Sequence, residues 1–110
     1  MTDEPDPIAS KGYQLTDTAE VELEDILRFV ADRDGVQRAL HVHGKFIEAF
    51  ELLAFQPGSG TTRPKLTGQR VRWWPVFKWI VIYDPTSSPV SILRVIHGAR
   101  ELDRLFGEEE

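Results

Sequence analysis

RVRWWPVFKWIVIYDPTSSPVSILRVIHGAR, residues Arg70 to Arg100, is the stretch whose reading decides the fold of this chain. Three runs within it, Val71 to Pro75, Phe77 to Tyr83 and Val90 to Ile96, are rich in β-branched and aromatic residues and read as strands. They are separated by a Pro-marked bend at Pro75 and by the turn Asp84-Pro85-Thr86-Ser87-Ser88-Pro89, connections short enough to favour an antiparallel meander. The middle run, Trp79-Ile80-Val81-Ile82-Tyr83, has almost no polar alternation and is expected as a central strand covered on both faces. In Arg70-Val71-Arg72-Trp73 the alternation sends both arginines to one face and Val71 and Trp73 to the other, so Trp73 and Trp74 point opposite ways.

Working outward, Pro57-Gly58-Ser59-Gly60 is a strong stop, followed by a loop from Thr61 to Gly68 that carries Arg63 and Lys65. Before it, two helical patterns stand side by side. From Asp17 to Asp34, Ala19, Leu23, Ile26, Leu27 and Val30 form one apolar stripe, with Thr16 or Asp17 as the cap. Gly35 ends this helix, and a second is expected from Val36 to Phe55, burying Ala39, Val42, Phe46, Ala49, Phe50 and Leu53. A helical hairpin returns the chain to the side it left, so a first strand at Tyr13-Gln14-Leu15-Thr16 is expected antiparallel to the strand at Arg70. The fold class is α+β, ordered β-α-α-β-β-β, with the helical hairpin packed on a mainly antiparallel sheet. One domain is expected over residues 12–106, between a disordered acidic tail at 1–11 and an acidic tail at 107–110. Residues 100–106 could add a last helical turn or two.

Composition sets the bounds. The 110 residues suit one domain, and no apolar run approaches the roughly 18 to 20 residues that span a bilayer. The acidic N-terminus lacks the apolar core of a signal peptide, which makes a cytoplasmic location the expectation. With no cysteine there is no thiol nucleophile and no Cys-ligated zinc. The formal charge of −5 is unevenly spread: residues 12–62 hold 4 basic and 9 acidic side chains, whereas residues 63–100 hold 7 basic side chains and one acidic, Asp84. The sheet half is thus a cationic body, and the helical half and both tails are anionic.

Several pieces in order resemble toxins of the RelE/ParE superfamily from bacterial type II toxin-antitoxin modules, in the ParE-like branch. They are Tyr13-x-Leu15-Thr16, Ala19-x-x-x-Leu23-x-x-Ile26, Ala49-Phe50-Glu51-Leu52-Leu53, Pro57-Gly58-Ser59-Gly60, Leu66-Thr67-Gly68, Arg72-Trp73-Trp74-Pro75-Val76, Ile82-Tyr83 and Ile92-Leu93-Arg94-Val95-Ile96-His97-Gly98-Ala99-Arg100. The resemblance covers residues 13–106. It implies the same fold and a cognate, ParD-like antitoxin that wraps the toxin in a hetero-oligomer. It implies DNA gyrase as target for ParE-type relatives and ribosome-dependent cleavage of messenger RNA for RelE-type ones.

The residues allow three functional readings: a gyrase poison with no active site of its own, a ribonuclease, or an inactive scaffold that keeps only antitoxin binding. A ribonuclease needs a general base, a general acid and cations at the phosphate, for which Arg70, Arg72, Arg94 and His97 are the candidates. Antitoxin or target binding is expected to use Arg63, Lys65, Arg70, Arg72, Trp74, Lys78, Arg94, His97 and Arg100. His41 and His43, two apart on a helix, diverge and cannot share one ion, so neither a metal nor a cofactor is expected. Trp73, Trp74 and Trp79 among basic residues could form a platform for nucleic-acid bases, but strand aromatics are more often core. Sequence-specific DNA binding by this chain alone is not expected.

Overall fold

The computed structural model of the protein describes residues 12–62 and 71–98. The expectations for both tails, for the segment after Gly98 and for Arg63, Lys65, Arg70 and Arg100 fall outside the described residues. The elements run β1 (Tyr13–Leu15), α1 (Asp17–Asp34), α2 (Val36–Phe55), a 3-10 turn (Pro57–Ser59), β2 (Thr61–Thr62), β3 (Arg72–Val76), β4 (Trp79–Asp84) and β5 (Val90–His97). Among the described residues the strands form one sheet in the order β1-β5-β4-β3-β2.

Local chemistry sets the helix limits. The Thr16 hydroxyl accepts the Ala19 N–H at 3.1 Å and donates to the Leu93 carbonyl at 3.0 Å, so one side chain both caps α1 and ties it to β5. Gly35, at φ 97°, donates its N–H to the Ala31 carbonyl and lets the chain reverse directly into α2. The hairpin lies on one face of the sheet. Val42, Phe46, Phe50 and Leu53 of α2 are buried there with Ala19, Leu23 and Val30 of α1, against Val76, Trp79, Val81, Tyr83, Val90, Ile92 and Val95. The rings interlock: Phe46 lies 5.8 Å from Trp79 and Tyr13 lies 5.3 Å from Phe50.

Three expectations are corrected. β1 pairs in parallel with β5, at the opposite edge of the sheet from β2. Two antiparallel pairings separate β5 from β3, so β1 and β3 run the same way. The hairpin does return the chain antiparallel to β1, but it delivers the two-residue β2, and β3 then turns back against it. Next, the reversal between the first two long strands lies at Phe77-Lys78, while Pro75 sits within β3, opposite Ile80. β2 pairs only with Arg72 and Trp73, so β3 is an edge at Pro75, where a missing N–H is tolerated. Finally, β4 is central but alternates: Trp79, Val81 and Tyr83 are buried under the helices, and Ile80 and Ile82 are half-buried on the other face. An apolar run does not distinguish two covered faces from one covered face and one half-covered.

β1 protects β5 only as far as Ile92. Beyond it Glu22 of α1 takes over, accepting the Val95 N–H at 2.8 Å and pairing with Arg94 at 2.6 and 2.9 Å. A strand edge that would otherwise offer a bare donor is closed by a carboxylate.

Candidate functional site

The two-residue reversal Phe77-Lys78 brings the end of β3 and the start of β4 beside the turn end of the helical hairpin, near Asp34 and Arg38, and a furrow follows the seam between sheet and helices there. It consists of three adjoining depressions of about 350, 200 and 280 Å³. The first is lined by Lys45, Glu48, Ala49 and Leu52 of α2 with Trp74, Pro75, Val76 and Phe77. The second lies between Phe77 and Phe29, with Val30, Asp34, Arg38, Val42, Lys78 and Trp79. The third joins Asp25, Ile26, Phe29 and Arg33 to Lys78, Trp79 and His97.

Along this seam cations sit on aromatic faces. The Arg38 guanidinium is 5.4 Å from the Phe77 ring centre, Arg33 is 5.8 Å from Phe29 and Lys78 Nζ is 5.4 Å from Trp79. His41 lies against Phe77 at 6.1 Å. Phe29 and Phe77 are both 52% exposed, rings that most folds of this size would bury.

Of the residues expected from the sequence, the furrow gathers Trp74, Lys78 and His97. Trp74 shares the helix-side face with Val81 and packs half-buried against the core, whereas Trp73, opposite Ile82, is buried on the other face. The shared platform of three tryptophans is therefore absent. Arg72 is committed elsewhere: it donates from Nη1 to the Gly60 carbonyl at 2.8 Å. In the same cluster the Tyr83 hydroxyl donates to the Pro57 carbonyl at 2.6 Å and accepts the Gly60 N–H at 2.8 Å. Burial raises the Tyr83 pKa above its ordinary value, outweighing the lowering by the Gly60 N–H and by Arg72. Arg94 is bound to Glu22 at the β5 edge.

Among the described residues, these placements keep the ribonuclease candidates Arg72, Arg94 and His97 apart. Arg72 lies opposite Tyr83, and His97 lies opposite Trp79. Four residues along β4 and two strand spacings separate those positions by roughly 16 Å. Among the described residues, Arg72 and Arg94 thus lie away from the furrow, and α1 and α2 supply Arg33 and Arg38 along it. Sequence reading misses these two and Phe29 and Phe77. A signal existed, since Phe29 is an aromatic beside the α1 stripe and Phe77-Lys78 could have been read as a hairpin tip.

Comparison with known proteins agrees with this architecture. Residues 13–102 match the family described as the ParE toxin of the type II toxin-antitoxin system, parDE. A solved chain from the chromosomal ParDE TA system of P. aeruginosa shares the fold with a TM-score of 0.66 at 20% sequence identity, over 77% of this chain and 92% of that one. No curated protein sequence matches the chain. With most of the described residues inside the matched span, the chain belongs to the ParE toxin family of type II toxin-antitoxin systems.

Proposed function

We propose that the protein is a toxin held inactive by a cognate ParD-like antitoxin, and that it acts by engaging DNA gyrase and carries out no chemistry itself. The observation that carries the second part is the separation of Arg72, Arg94 and His97. General acid-base cleavage needs its groups within hydrogen-bond reach of one phosphodiester. Here Arg72 holds Gly60, Arg94 holds Glu22, and His97 lies in the furrow beside Lys78.

For the antitoxin, the groove between α2 and β3 supports docking of an apolar, acidic segment that folds as it binds. Trp74, Ala49 and Leu52 offer the apolar floor and Lys45 a cation at its rim. The ribonuclease reading keeps one specific support, the proximity of His97, Lys78 and Arg33 around a single depression.

Purified protein added to a gyrase supercoiling assay is expected to inhibit it. The same protein is expected to leave translated message intact in primer extension. Cleavage with unimpaired supercoiling would reverse the assignment.

A further inference from the structure

Phe77 holds the first position of the two-residue turn joining β3 to β4, and its φ is 55°. Glycine is at ease in that region, whereas a bulky side chain is strained there. Folding gains little in return, because the residue is 52% exposed and lies outside the buried core. Arg38 and His41 nevertheless hold the ring in place at 5.4 and 6.1 Å. Phe29, equally exposed, stands across the depression, and Lys78 follows in the turn.

A fixed, exposed aromatic framed by cations has the character of an interface anchor, and strained backbone is concentrated at such sites. The shape bears on the partner. A peptide segment fills grooves, but a side chain at the tip of a turn needs a socket, which a folded surface can provide. Charge bears on it as well: Asp34 and Asp25 interrupt the positive field along the seam, which disfavours a polyphosphate backbone and suits isolated carboxylates.

We propose that the hairpin tip, Phe77 with Arg38 and Lys78, is the contact through which this protein engages its folded protein target, whose matching surface is an apolar socket rimmed by carboxylates. The proposal rests on the toxin reading and assigns the tip to the target, leaving the α2–β3 groove to the antitoxin.

Phe77→Gly tests it, because that change deletes the ring and relieves the backbone at once. The variant should melt at or above the wild-type temperature. On induction in bacteria, colony survival should rise roughly tenfold or more, as for loss of an interface anchor. Antitoxin affinity, measured calorimetrically, should fall by about threefold at most, because Phe77 only closes one end of the α2–β3 groove whose floor is Trp74, Ala49 and Leu52. Phe77→Asn, which also tolerates positive φ, should behave alike and serves if the glycine variant folds poorly. Arg38→Glu with Lys78→Glu should also lose toxicity, while Leu40→Ala, an exposed position of α2 outside the furrow, should keep it. A Phe77→Gly protein as toxic as wild type would overturn the proposal. So would one that stays toxic but escapes the antitoxin, or one whose only defect is lost binding of a labelled single-stranded oligonucleotide. Wild-type protein that fails to arrest growth would sink the toxin reading along with it, whereas toxicity in both proteins sinks the tip assignment alone.

Discussion

Tyr83 shows what one side chain can hold together. Its hydroxyl joins the Pro57 carbonyl to the Gly60 N–H, fixing the 3-10 turn after α2 onto the sheet. Gly60 has to be glycine, since an added Cβ would lie 2.6 Å from the Tyr83 hydroxyl and 2.7 Å from the Trp73 carbonyl. Tyr83→Phe leaves two backbone groups without their partner and is expected to destabilise by about 1–3 kcal/mol, measured by urea unfolding at neutral pH. Burial raises the Tyr83 pKa, and burial with the Glu51 charge raises that of Tyr13. In both, the folded pKa exceeds the unfolded value of about 10, so the associated stability is complete below about pH 10 and falls as pH climbs through the folded value. A urea series across the alkaline range should show this loss, with a shallower slope in Tyr83→Phe. The sequence does not show that Pro57, Gly60 and Tyr83 meet, because Tyr83 stands 23 and 26 residues from the other two in the chain.

For the elements, local signals and long-range pairing separate cleanly. The limits of α1 and α2 were legible, because Thr16, Gly35 and the apolar stripes act within a few residues of themselves. The neighbour of β1 was not: three residues, Tyr13–Leu15, carry no record of which edge they join. Glu22 reads in the sequence as one of several solvated carboxylates on α1. In the fold it closes the β5 edge that the short β1 leaves open. Glu22→Ala removes an acceptor from a backbone N–H and a partner from Arg94, at an expected cost of about 1–3 kcal/mol. Faster hydrogen exchange at the Val95 amide would localise the effect, and unchanged exchange there would show that the clasp contributes nothing.

For the whole molecule, the helices cover one face of the sheet and leave a seam at the hairpin tip, where Phe29 and Phe77 lie exposed among Arg33, Arg38 and Lys78. Arg72→Ala is expected to lower stability through Gly60 with little effect on antitoxin affinity. Trp74→Ala is expected to lower that affinity roughly tenfold, the size of a central interface contact, at a modest stability cost. Calorimetric titration at rising salt should also weaken binding, because the rim cations are exposed and screened. Equal affinity for Trp74→Ala and wild type would place the antitoxin elsewhere.

Hydropathy period, caps and turn residues act over a few neighbours, so the sequence alone determined the helical hairpin, its buried faces, the three long strands and the α+β class. The roles of the arginines depended on strand order and on the angle at which α1 and α2 meet the sheet. Those follow from packing between residues far apart in the chain. Only the tertiary structure therefore set Arg72 against Gly60 and Arg94 against Glu22, away from the furrow, and put Arg33 and Arg38 beside Phe29 and Phe77.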